Sequence, residues 1–226
     1  MNGFITDDNG TLLAYRGVDE CVRIPEYIQC IGDNAFINTN VKKVIIPKSV
    51  TNIRRYAFAG LHLEKVEIRY GCEYIGMEAF SNCTQLNEII LPKTVQSTGS
   101  YVFKNCVNLQ KATINGIYKI NTGLFAQCTN LREVSFNPFE IGCEAFYNTG
   151  LEKIIIPDNV RAIQIGAFKS CYNLKHVIIH NRIKFIGKRV FESCQLQYVR
   201  IPKRLYYYNK DIFEGADISN CKFEYV

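Results

Sequence analysis

No stretch of this 226-residue chain stays apolar for more than a few residues, with Ile154-Ile155-Ile156 typical of the longest. A membrane-spanning helix needs roughly 20, so no span is expected. The first ten residues carry Asp7 and Asp8 and have neither a basic n-region nor an apolar h-region, so no secretory leader is read there. That leaves two expectations for location, a cytoplasmic chain or a surface protein whose leader has been removed. Catalytic signatures are missing as well: there is no G-x-S-x-G, H-E-x-x-H, phosphate loop or dinucleotide fingerprint. Carboxylates such as Glu88 and Glu133 are scattered, and nothing nearby supplies the burial that would raise a pKa for acid catalysis. None of the ten cysteines forms a C-x-x-C pair, and His62, His176 and His180 are not spaced with them as ligands, which argues against zinc. The chain is therefore expected to be non-catalytic, with no metal and no cofactor. What it does have is a globular composition, 47% apolar and 21% charged, enough to build a sizeable core and too apolar for disorder.

There are only six prolines, and five of them share one position in a repeat. Phenylalanine recurs at Phe36, Phe58, Phe80, Phe103, Phe125, Phe146, Phe168, Phe191 and Phe213, in steps of 21 to 23 residues. A second ladder runs through Ile24, Ile46, Ile68, Leu91, Ile114, Phe136, Ile156, Ile179 and Ile201, followed by proline at Pro25, Pro47, Pro92, Pro157 and Pro202. A third, Ile31, Ile53, Ile75, Ile120, Ile141, Ile163 and Ile186, is often followed by glycine. Alternation in Leu63-x-x-Val66-x-Ile68 puts Val66 and Ile68 on one face of a short strand. Proline then ends the pairing and turns the chain outward. One such unit cannot bury its own apolar face, but stacked units share a continuous core beneath a parallel sheet.

Ile46-Pro47-x-x-Val50-x-x-Ile53 leading to Ala57-Phe58, and Ile75-Gly76-x-x-Ala79-Phe80-x-x-Cys83-x-x-Leu86, resemble the BspA-like leucine-rich repeats. The resemblance covers residues 20 to 226. It implies a right-handed repeat solenoid of about nine units of 22–23 residues. Parallel β-strands would line the concave face, with short turns or helical pieces on the convex face. It also implies a non-enzymatic binding role, often on the surfaces of anaerobic bacteria and some protists. The expected organisation is a single leucine-rich-repeat domain over 1–226, with residues 1–19 forming an N-terminal hairpin cap around Asp8-Asn9-Gly10 and residues 20–226 forming the repeats. The last repeat ends on a strand at Cys221-Lys222-Phe223-Glu224, whose outer edge leaves a monomer or an edge-to-edge dimer as alternatives. Thr98 in the isoleucine column, Leu124-Phe125 in place of Ala-Phe, and the short link Asn137-Pro138-Phe139 predict an irregular middle. Cys83, Cys106, Cys128, Cys171 and Cys194 fall in one column and are expected to be buried free thiols.

Two surfaces are candidates for binding. On the concave face, Lys43, Lys65, Glu88, Lys111, Glu133, Lys153, His176 and Tyr198 form one outward row, and Ile45, Glu67, Ile90, Thr113, Ser135, Ile155, Ile178 and Arg200 the next. Ile45, Ile90, Ile155 and Ile178, with His176 and Tyr198, are the expected protein-binding residues, because exposed apolar area in a polar frame marks interfaces. The second candidate is residues 161–210, where eleven Lys or Arg meet a single acid, Glu192. Arg161, Arg182, Lys184, Lys188, Arg200, Arg204 and Lys210, interleaved with tyrosines, suit an anionic polymer such as nucleic acid or an acidic glycan. A protein partner through the concave face is the leading expectation, and polyanion binding is the alternative.

Overall fold

In the strands Lys43–Ile46, Lys65–Ile68, Glu88–Leu91 and Lys111–Ile114, the second and fourth residues are buried and the first and third face outward. That is the pattern of a strand with one face on a core. The computed structural model describes residues 3–226, so residues 1 and 2 of the expected cap lie outside the described residues. Ten such strands, from Cys21–Arg23 to Lys222–Tyr225, line one face of a parallel β-solenoid of about ten turns. Their register follows the predicted rows: Lys43 pairs with Lys65, Lys111 with Glu88 and Glu133, and His176 with Lys153 and Tyr198.

The third isoleucine ladder is more regular than a turn. Two-residue strands such as Asn52–Ile53, Tyr74–Ile75 and Ala162–Ile163 pair from coil to coil as a second, narrow parallel sheet. Among the described residues helical structure appears only in the last coil, as the helix Lys203–Tyr208 and the 3-10 helix Lys210–Phe213. The N-terminal hairpin pairs Phe4–Thr6 with Thr11–Tyr15, and the Asp7 carboxylate accepts the Asn9 and Thr11 N–H groups in the turn. Thr11–Tyr15 then pairs in parallel with Cys30–Ile31, so the hairpin extends the second sheet.

The phenylalanines form the third side. Starting at Tyr15, ten aromatic rings stack along the axis with centroids 4.6 to 5.8 Å apart. The main chain is laddered here too: the N–H of Phe36 donates to the Ala57 carbonyl, that of Phe58 to Ala79, and that of Phe80 to Val102. Two residues before and two after most of these phenylalanines the backbone is left-handed, as at Asn34 and Asn38, Glu78 and Asn82, Glu144 and Asn148, and Arg189 and Ser193. Asparagine and glycine accept this conformation with little strain, and glutamate and arginine do not. Among the described residues the Glu144 carboxylate has no hydrogen bond or ion pair. Glu144→Gly should therefore stabilise the protein by up to about 1 kcal/mol, the side-chain penalty less the entropy of the unfolded glycine. A urea midpoint that stays put or falls would show that the left-handed turn is unstrained.

The concave sheet is interrupted twice. No main-chain bond joins Lys65–Ile68 to Glu88–Leu91, or Glu133–Ser135 to Lys153–Ile155. Both breaks fall where the spacing from phenylalanine to the leucine before the next strand changes. It is five residues at Phe58–Leu63 and Phe146–Leu151, and six at Phe80–Leu86, Phe103–Leu109 and Phe125–Leu131. Two further changes, to six at Phe168–Leu174 and back to five at Phe191–Leu196, are absorbed with pairing intact. The second sheet breaks once, after Ser97–Thr98, where the Asn121 side-chain amide donates to the Thr98 carbonyl across the gap. The irregular middle thus corresponds to the breaks at Thr98 and Ser135, while the break after Ile68 lies outside it.

All ten cysteines are free. Each thiol of the repeat column donates to a phenylalanine carbonyl one coil earlier: Cys83 to Phe58, Cys106 to Phe80, Cys128 to Phe103, Cys171 to Phe146 and Cys194 to Phe168, at 3.0 to 3.2 Å. Thr149 holds the same column position and lies 3.2 Å from the Cys171 sulfur.

Candidate binding surface

Each interruption of the concave sheet opens a groove. The first, about 670 Å³, is lined by Lys65, Glu67, Tyr70, Glu88 and Ile90, among others. The second, about 410 Å³, is lined by Lys111, Thr113, Glu133, Lys153 and Ile155. Ile90 and Ile155 are the most exposed of the row isoleucines, each at 53%. Ile45 and Ile178 point the same way but are half-buried. Ile45 sits in its row between Arg23 and Glu67, and Ile178 between Ile155 and Arg200, so longer or branched neighbours flank both. Ile45 lines a smaller opening with Cys21 and Val44.

Charge on this face is of mixed sign and paired with itself. Lys111 lies 4.0 Å from both Glu88 and Glu133, and Arg132 bridges the second break to Glu152. His176 is exposed and its ring lies 6.3 Å from that of Tyr198. The Tyr198 hydroxyl donates to Glu224 on the terminal strand, and this bond holds its pKa above the ordinary phenol value. Arg200 pairs with the same carboxylate at 3.2 Å.

Only four of the seven bases expected to bind an anion share one flank of the coil. Arg200 is on the concave face and Lys188 is on the far side of the coil, paired with Asp211 at 3.2 Å. Lys210 starts the 3-10 helix. Arg161, Arg182, Lys184 and Arg204 share the flank between the two sheets. Asp211 and Glu224, which neutralise Lys188 and Arg200, lie just beyond residue 210 and reach back one coil, and Glu214 does the same for Arg189. Among the described residues no three His, Cys, Asp or Glu side chains gather as metal ligands, and no helix is long and apolar enough to cross a membrane. The grooves are not legible in the sequence: both fall where the five- and six-residue spacings switch, but two other switches leave the sheet intact.

A family model for the BspA type leucine rich repeat region matches residues 19–132 and 139–225, in six copies. The chain belongs to the BspA-type leucine-rich-repeat family. The gap in that family match, residues 133 to 138, covers the strand Glu133–Ser135 and the start of the short link, beside the second groove. The fold is similar to that of a leucine-rich repeat protein from Bacteroides ovatus, at 25% identity and a TM-score of 0.66 over 92% of this chain and 66% of that one. The chain thus spans just under two thirds of that protein's length. It is also similar to a leucine rich cell surface protein from Faecalibacterium prausnitzii, at 18% identity and a TM-score of 0.67 over 98% of this chain and 92% of that one. A third similar structure is the T. pallidum leucine rich repeat protein, at 23% identity and a TM-score of 0.59 over 85% and 86% of the two chains. No curated protein matches the sequence. Family membership makes a repeat-based binding scaffold the coarse description of this protein.

Proposed function

We propose that the protein is a non-catalytic scaffold whose concave face binds an extended segment of a partner protein. The observation that carries this reading is the coincidence of the two most exposed row isoleucines with the two grooves, Ile90 in one and Ile155 in the other. At each groove the strand ladder is open, so main-chain donors and acceptors stand beside an apolar anchor. An extended peptide offers both kinds of group, backbone amides for the open edges and a side chain for the isoleucine. The self-paired mixed charge between the grooves suits a protein better than a polymer of one sign.

The test is to pan a phage-displayed random peptide library against the folded protein and against Ile90→Asp/Ile155→Asp. Both side chains are exposed, so the double variant should keep its melting temperature. Selected peptides should lose about tenfold or more in affinity for it, as truncation of an interface anchor does. Peptides that bind both proteins equally, or no selected peptide at all, would refute the reading.

A further inference from the structure

Ion pairing sorts the eleven bases of residues 161–210. Lys169 is held by Glu192, Lys188 by Asp211, Arg189 by Glu214 and Arg200 by Glu224. Among the described residues the rest have no acidic partner, and five of them, Arg161, Arg182, Lys184, Lys203 and Arg204, fall in one place. They lie in the segments that follow the concave strand in three successive coils, the first two leading to the second sheet and the third being the helix Lys203–Tyr208. The buried column Val160, Ile183 and Leu205 aligns these segments, setting Arg182 beside Arg204 and Arg161 beside Lys184. The Lys184 N–H donates to the Arg161 carbonyl, and the Arg204 guanidinium donates to the carbonyls of Asn181 and Ile183 one coil earlier. Arg161 likewise donates to the Asp158 and Val160 carbonyls. Asp158 is the sole acid in the three segments.

Beyond this flank, on the second-sheet side, lies a groove of about 420 Å³ lined by Ile165, Phe185, Tyr208, Lys210 and the Lys188–Asp211 ion pair, among others. Its rings are open to solvent, Phe185 at 49% and Tyr208 at 86% exposure. Unpaired bases on a stiff stack of coils, next to exposed aromatic faces, are what a flexible polyanion with planar rings requires. We propose that this flank and groove bind single-stranded nucleic acid, with phosphates along the five bases and nucleobases stacked on Phe185 and Tyr208. A duplex keeps its bases stacked on one another and leaves these rings without partners. The site is separate from the concave face and stands or falls without it.

The experiment is fluorescence anisotropy of a labelled oligothymidylate titrated with the full chain. Five phosphate contacts, each contributing about 0.7 to the logarithmic salt slope, should lower affinity about 100-fold between about 50 and about 200 mM salt. Arg182→Gln/Lys184→Gln/Lys203→Gln spares the two arginines bound to main-chain carbonyls, and it should reduce that slope by about 2. Phe185→Ala/Tyr208→Ala should weaken binding about tenfold or more with the slope unchanged, because stacking releases no counterions. Ile90→Asp/Ile155→Asp should bind as the wild type does, and circular dichroism melts confirm that each variant is folded. Absence of binding at about 50 mM salt, or a triple variant that binds as before, overturns the proposal. It is also overturned, in favour of an acidic glycan, if a sulfated oligosaccharide binds as tightly and the ring variants change nothing.

Discussion

Phe103→Ala should destabilise the protein by about 3–5 kcal/mol, the range for removing a buried aromatic ring. The ring is fully buried and stacks at 5.5 Å on both Phe80 and Phe125, so truncation opens a void in the middle of a column that nothing can slide in to fill. The neighbours cannot close up, because their own N–H groups are tied to adjacent coils, Phe80 to Val102 and Phe125 to Ala145. In a solenoid each coil is stabilised only by the coils on either side, and stability is close to a sum of units and interfaces. A void at the centre therefore weakens both interfaces of one coil and leaves the two halves able to unfold separately. The expected urea curve has two transitions in place of one, and the amides from Phe80 to Phe125 should exchange fastest. A single transition displaced by less than about 1 kcal/mol would mean that the coils do not behave as nearest-neighbour units.

Alkaline pH should unfold the protein steeply. Burial pushes the Cys72 thiol up to about 12 and Cys171 up to about 11, and it raises Cys83, Cys128 and Cys194 well above the ordinary thiol range. In the unfolded chain these groups ionise near pH 8.5. Between the two values the unfolded state holds fewer protons than the native state, so stability falls as pH rises. It is fully present below about pH 8 and declines by about 1.4 kcal/mol per pH unit for each such thiol. Urea midpoints under reducing conditions from about pH 8 to about pH 10 would follow this. Cys128→Ala should remove one thiol's share of the slope, and an unchanged slope would mean that the column does not set the alkaline limit.

The core was legible because one residue type dominates each of its columns: phenylalanine at the stack, isoleucine at the strands, cysteine at the tight turn. The hairpin and the final strand were legible from Asp8-Asn9-Gly10 and from the register of Phe223. The second sheet was not, since a two-residue strand such as Tyr74–Ile75 is too short to show a period. Left-handed backbone at Tyr56, Glu78 and Arg189 leaves no trace in residue type, because the neighbouring coils impose it. Charge was misleading in a specific way. The excess of bases before residue 210 is partly cancelled by acids just after it, because successive coils lie side by side in space. Arg200 and Lys188 therefore leave the set of free bases, while Lys203 joins it.

The two interruptions of the concave sheet also affect how the molecule bends. At both of them the phenylalanine side and the second sheet remain bonded: Phe58 to Ala79 with Asn52–Ile53 against Tyr74–Ile75, and Phe125 to Ala145 with Lys119–Ile120 against Glu140–Ile141. Each interruption is thus a crease in a fan whose ribs are riveted at the back. Bending compliance concentrates at two places, and the three blocks of strands between them turn as stiff plates. Under load the arc would tighten or relax at these creases before any main-chain bond had to break.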